Sequence, residues 1–170
     1  MQQFTNISHT FEPIYNKESK ILILGSFPSV KSIENNFYYG HPQNRFWKVI
    51  SKIVNEKEPT TIEEKKKLLL DNHIAIWDVI ASCSIQGSSD SSIKDVVVND
   101  FSDILQNSSI HTIYVNGNKA YELYHKYAEE QTGIKAVKLP STSPANAAWS
   151  VDRLCAEWKQ IYRREKSDAL

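Results

Sequence analysis

The residues that could do chemistry fall in three short polar stretches. The first is Gly25-Ser26-Phe27-Pro28-Ser29, followed by the aromatic run Phe37-Tyr38-Tyr39 and the cluster His41-Pro42-Gln43-Asn44. The second starts at Asp78, after an apolar run, and the third is Pro140-Ser141-Thr142-Ser143-Pro144-Ala145-Asn146. A carboxamide such as Asn44 carries donors and an acceptor together, so it could orient a water or bind a planar amide-bearing ligand. It could equally cap the helix that opens at Arg45. His41 could donate a proton or be an ordinary loop histidine. Phe37, Tyr38 and Tyr39 suit stacking on a flat heterocycle, or plain core packing. Ser141, Thr142 and Ser143, with their backbone amides, could hold a phosphate or form a simple turn. Asp78 is a candidate site carboxylate or a turn cap. Cys83 has no histidine near it in sequence, and the set contains neither clustered carboxylates nor a metal-ligand pattern, so metal and covalent thiol chemistry are not expected.

Composition bounds the classes. A chain of 170 residues suits one domain with one core, with the first eight residues and residues 165–170 expected to fray. The formal net charge is zero, unlike the basic excess of sequence-blind phosphate binders, so any nucleic-acid role must rest on a local patch and a specific pocket. Two cysteines give no disulfide framework, which fits a reducing, cytoplasmic setting. No apolar run approaches a membrane span, and MQQFTNISHTFEP has no signal-peptide pattern.

The elements that must position these residues alternate along the chain. Residues 20–24, 73–79, 110–115 and 135–139 read as buried strands. Helices are expected over 45–54, after Thr61 with Glu64 in capping-box spacing, over 101–106 capped by Asn99 or Asp100, over 119–130 with Gly133 at its end, and from Val151. A short helical turn is expected at 31–36 and a long polar loop over 82–92. Four strand–helix alternations imply an α/β fold with right-handed crossovers and a parallel sheet covered on both faces. The polar stretches then share the carboxyl edge of that sheet, where open α/β sheets bind ligands.

In combination GSFPS, YYGHPQNRFWKVI, WDVIASCSIQGSSDSSI, VNGNKAYELY and LPSTSPANAAW resemble the uracil-DNA glycosylase superfamily, and most of all its DNA-deoxyinosine (hypoxanthine-DNA) glycosylase branch, from about Ile21 to Trp158. HPQNRFWKVI is also similar to the mismatch-specific uracil/thymine glycosylases. The resemblance implies a three-layer α/β/α sandwich around a four-stranded parallel sheet. It implies base excision without a cofactor by a monomer that flips a damaged nucleotide out of DNA, in the cytoplasm at the nucleoid. It places Gly25, Ser26, Phe27, Pro28 and Ser29 in the first motif, beside the sugar. Gly25, Ser26, Phe27, Tyr39 and Asp78 are its base-binding candidates, with Tyr39 stacking on the base. Asn44 is the catalytic amide, with His41 as a donor to the purine. Pro28, Ser29, Ser141, Thr142, Ser143, Pro144 and Asn146 are its candidates for the DNA backbone. Phe27 stands where mismatch-specific relatives carry a water-positioning Asn, which turns the reading from uracil toward deoxyinosine. Branches with an iron–sulfur cluster need four cysteines and are excluded by two. The competing readings are a uracil or mismatch glycosylase and a nucleotide-binding α/β module without catalysis. A flavodoxin-like protein is disfavoured by a first loop too poor in Gly to cradle phosphate.

Overall fold

The computed structural model describes residues 5–8, 11–27, 37–85 and 94–162. Pro28, Ser29, the turn expected at 31–36 and residues 165–170 lie outside them, as does most of the expected 82–92 loop.

The central sheet is built from β2 (Ile21–Gly25), β3 (Ile74–Asp78), β6 (Thr112–Asn116) and β7 (Ala136–Leu139), in the order β3-β2-β6-β7. Every pairing is parallel, with Ile21 level with both Ile74 and Thr112, and Ile113 level with Ala136. All five residues of β2 are buried, and the reason is the period of two. Ile21 and Ile23 enter one apolar cluster, Leu22 and Leu24 the other, so the strand is covered on both sides.

The first cluster includes α1 (Phe46–Ile53), α2 (Ile62–Asp71) and α6 (Val151–Trp158), with Phe46, Ile50, Leu69, Leu154 and Trp158 fully buried. The second includes α3 (Ser102–Gln106) and α4 (Asn118–Tyr127), through Ile104, Ala120, Leu123 and Tyr124. The result is the expected α/β/α sandwich. Thr61 caps α2 by accepting from Glu64 N at 3.1 Å, while the Glu64 carboxylate accepts from Thr60 N at 2.8 Å, so the reciprocal half of the capping box lands one residue early.

Three differences from the sequence reading have local causes. Ile80–Ile85 forms β4, paired antiparallel with β1 (Thr5–Ser8) and β5 (Lys94–Val98) in a small second sheet. The first four residues of the expected loop are therefore strand, and Thr5–Ser8 is paired rather than frayed; β1 is far from β4 in sequence, which local pattern cannot reveal. The helix expected over 119–130 breaks at Ala128 into α4 and α5 (Glu129–Thr132), which ends at Gly133 with φ 71°, a left-handed conformation natural to Gly. The start of α3 is held partly from that break: Asp100 accepts from Ser102 N, but Phe101 N donates to Gln131 Oε1 at 2.7 Å.

Thr61→Ala should lower unfolding free energy by about 1 kcal/mol through the lost cap, and Leu154→Ala by about 2–5 kcal/mol through a core cavity. Urea-unfolding midpoints measure both, and a Leu154→Ala chain as stable as wild type would contradict its burial between α6 and the sheet.

Candidate active site

The carboxyl ends of the four strands deliver Gly25, Asp78, Asn116 and, just past β7, Ser141 and Thr142 to one edge. The corner after β3 is bonded to the first motif: Val79 N donates to Gly25 O at 2.8 Å and Ile80 N to Ser26 O at 3.1 Å. Asn99 Nδ2 donates to Asp78 O at 2.8 Å. Gly25 is required here by space, since a Cβ on it would lie 2.4 Å from Asp78 Oδ1 and 3.2 Å from the Tyr39 hydroxyl. Asp78, 4 % exposed, and Tyr39 therefore meet over the bare backbone of Gly25. Phe27 is half-buried and packs toward the α3–α4 side of the sheet.

Tyr39 is held in the left-handed region at φ 53°, a conformation that costs a non-glycine residue about 1–2 kcal/mol. One face of its ring is covered by Phe46, the centroids 4.0 Å apart and the planes 21° from parallel. Its hydroxyl is buried beside the Asp78 carboxylate and the Asn116 amide, and completes a well-formed hydrogen bond with neither. Burial pushes this phenol far above its ordinary value; the Asp78 charge adds to the rise and the Asn116 amide opposes it. Tyr39 is thus a neutral phenol, a hydrogen-bond donor that holds its proton.

The HPQN segment is a tight turn, in which Asn44 N donates to His41 O at 2.9 Å and Gln43 N to His41 Nδ1 at 3.0 Å. Because Nδ1 accepts, a neutral His41 carries its proton on Nε2. Asn44 Oδ1 accepts two hydrogen bonds, from Phe46 N and from Thr142 Oγ1, each 2.9 Å. Both donors are oriented. Phe46 N is a backbone amide, and Thr142 Oγ1 already accepts from Asn116 Nδ2 at 3.0 Å, which leaves its proton for Asn44. Asn116 Oδ1 in turn accepts from Thr142 N at 3.1 Å. Asn44 Nδ2 makes no hydrogen bond among the described residues. The helix-capping and ligand-binding readings of Asn44 are compatible: its oxygen caps α1, and its NH2 remains to donate.

Arg45 joins the two motifs. Its backbone N donates to Thr142 O at 3.1 Å, and its guanidinium donates to Thr142 O, Ser143 O, Asn146 O and Trp149 O. Among the described residues no carboxylate pairs with it, so an uncompensated positive charge lies beneath the second motif. That motif is also bonded to itself. Ser143 N donates to Ser141 Oγ, Ala145 N to Ser143 Oγ, and Asn146 Nδ2 to Ser141 O. Two expectations are modified here. Thr142 has no exposed surface, so its hydroxyl serves Asn44 instead of a phosphate. The amides of Thr142 and Ser143 are also engaged, leaving the Ser141 and Ser143 hydroxyl protons, with Arg45 below, as what this turn offers an anion. Ser141, Ser143, Pro144 and Asn146 are half-buried at the rim.

The structure thus brings Gly25, Tyr39, Asp78, Asn44 and Ser141–Asn146 together and adds Asn116 and Arg45. Asn116 was legible as a polar residue ending a buried strand, although VNGN reads first as a turn; nothing local marks Arg45. The side chain of Cys83 lies outside the described residues, and Cys155 is half-buried with its thiol pushed up by burial. Among the described residues no group of three or more His, Cys, Asp or Glu could hold a metal.

Fold and site together define an α/β protein with a bonded cluster of amide and hydroxyl groups at the carboxyl edge of a parallel sheet. The sequence pattern of the uracil DNA glycosylase superfamily matches residues 12–164. A Hypoxanthine DNA glycosylase from Methanosarcina acetivorans is 36 % identical over 159 residues, 92 % of this chain and 99 % of its own length. One from Methanosarcina barkeri is 32 % identical over 91 % of this chain and 97 % of its own. A Methanosarcina acetivorans chain solved by NMR under the name uracil DNA glycosylase superposes with a TM-score of 0.81 at 35 % identity, covering 95 % of this chain and 99 % of that one. The chain belongs to the uracil DNA glycosylase superfamily, and its activity is that of a DNA glycosylase.

Gly25→Ala should push Asp78 and Tyr39 apart, lowering stability by about 1–3 kcal/mol and base release from DNA by about tenfold or more. Thermal unfolding and single-turnover excision measure the two effects, and full activity in Gly25→Ala would refute the close approach of these three residues.

Proposed function

We propose that this glycosylase removes hypoxanthine from deoxyinosine in DNA, reading the base after it has been flipped out of the helix. The observation that carries the reading is the polarity of Asn44: its oxygen is engaged by Phe46 N and Thr142 Oγ1, so toward a ligand it acts as a donor. Asp78 supplies an acceptor at the same edge. Hypoxanthine presents an acceptor at O6 and a donor at N1, while adenine presents the reverse at both atoms. A donor with an acceptor therefore suits the deaminated base and opposes its parent, at about 1–3 kcal/mol for each well-made pair. The names of the Methanosarcina relatives support the same substrate.

In the mechanism we infer, the glycosidic bond breaks largely before water attacks, leaving positive charge on the sugar and negative charge on the departing purine. The two N–H groups of Asn44 and the Nε2–H of His41 stabilise that purine. Tyr39, fixed on Phe46, provides the stacking surface, and Asp78 binds N1–H. An amide cannot take a proton from water, so Asn44 contributes orientation and electrostatics. Ser141 and Ser143, over the Arg45 charge, hold the backbone beside the lesion. Uracil presents the same donor–acceptor edge, so the preference for hypoxanthine is supported by Phe27, which resembles the deoxyinosine branch rather than the Asn of mismatch-specific relatives.

Two measurements test this. Asn44→Asp keeps an oxygen for Phe46 N and Thr142 Oγ1 but removes both donors, and hypoxanthine excision should fall by roughly 10²–10³; activity within a few-fold of wild type would remove the amide from catalysis. Duplexes carrying hypoxanthine, xanthine, uracil, a thymine mismatch or adenine, treated with enzyme and then alkali, should be cleaved fastest at hypoxanthine and not at adenine. Preferential cleavage at uracil would overturn the substrate assignment.

A further inference from the structure

We propose that Asn116, at the end of β6, is a positioning residue that works with the Phe46 amide to hold the Asn44 carboxamide with its NH2 toward the ligand. This rests on the proposed role of Asn44 and adds a residue that never touches the base. Asn116 binds Thr142 twice, donating to Oγ1 at 3.0 Å and accepting from N at 3.1 Å. The second bond fixes the Asn116 amide, because only its oxygen can accept from a backbone N–H. The first then occupies Thr142 Oγ1 as an acceptor and directs its proton to Asn44 Oδ1, 2.9 Å away. Reversing Asn44 would set its NH2 against the Phe46 N–H as well as the Thr142 O–H. The polarity thus runs one way, from Asn116 through Thr142 to Asn44. Thr142 is fully buried, so water does not replace its hydroxyl. The neighbouring groups agree with this direction: the Tyr39 hydroxyl lies beside Asn116, and Arg45 holds Thr142 O.

Asn116→Asp is isosteric and inverts the first link, since a carboxylate accepts from both Thr142 N and Thr142 O–H and turns that proton away from Asn44. Single-turnover hypoxanthine excision at saturating enzyme should fall on the order of tenfold to a hundredfold, part of the roughly 10²–10³ that an aimed donor is worth. DNA affinity and the unfolding midpoint should fall far less than excision does. Thr142→Val should lose a comparable factor and Thr142→Ser should restore most of it. The double variant Asn116→Asp/Thr142→Val should be no slower than the slower single one, as expected of residues acting through one amide. Unchanged excision in Asn116→Asp, or losses that multiply in the double variant, would overturn the proposal.

A readout independent of activity separates this from the substrate assignment. The side-chain amide 1H–15N resonances of Asn44 and Asn116 should shift together in Thr142→Val and remain in place in Thr142→Ser. If wild type releases no hypoxanthine but the resonances respond in this way, the relay stands and the assigned substrate fails. If the Asn44 resonance ignores Thr142→Val, the relay fails whatever the enzyme excises.

Discussion

Both lone pairs of one carboxamide oxygen are taken up by the protein, and much of this edge of the sheet serves that arrangement. Asn44 Oδ1 is held by the first amide of α1 from one side and by the Thr142 hydroxyl from the other. Phe46 is two residues from Asn44 in sequence, whereas Thr142 is 98 residues away. They meet because α1 and α6 pack on the same face of the sheet, and because the chain leaving β7 crosses the start of α1 before turning into α6. A surface Asn would offer a ligand either end of its amide. This one offers only nitrogen, and reading an exocyclic oxygen against an exocyclic amine requires that difference.

The network fits the energetics of burial. A buried polar group without a partner costs about 1–3 kcal/mol; Thr142 has no exposed surface, yet its N, O and Oγ1 are all bonded. Within the site, unresolved polarity is found at Tyr39 instead, a left-handed residue with a buried hydroxyl beside Asp78 and Asn116. Strain of this kind persists where the surroundings over-determine it, and it collects at binding sites. Charge is distributed in the same local way. The chain is neutral overall, but the Arg45 guanidinium, clasped by four backbone carbonyls, sets a cation under the turn proposed to meet DNA.

Much of this was legible in the sequence. Residues 21–25 had to form a doubly covered strand because every position is apolar up to a Gly, and the polar stretches had to gather at the carboxyl edge once four strands ran parallel. Asn44 was visible both as a cap and as an amide for a ligand, but its polarity was not, since that depends on the Phe46 amide together with a hydroxyl direction set by Asn116. Thr142 seemed suited to a phosphate because a Ser- and Thr-rich turn looks exposed; Arg45, whose carbonyl partners are 97 to 104 residues away, draws the turn inward. The first strand of the second sheet stayed hidden for a related reason, its pairing with β4 being non-local.

The central claim, that Asn44 faces the substrate as a donor only, is tested most directly by a crystal structure. The complex would be this protein with a duplex carrying a 2′-fluorinated, uncleavable deoxyinosine. The account predicts an extruded hypoxanthine with an acceptor atom about 2.7–3.2 Å from Asn44 Nδ2, while Oδ1 still accepts from Phe46 N and Thr142 Oγ1. A complex in which Oδ1 has turned to the base or to a water, or in which the base lies out of reach of Asn44, would contradict it.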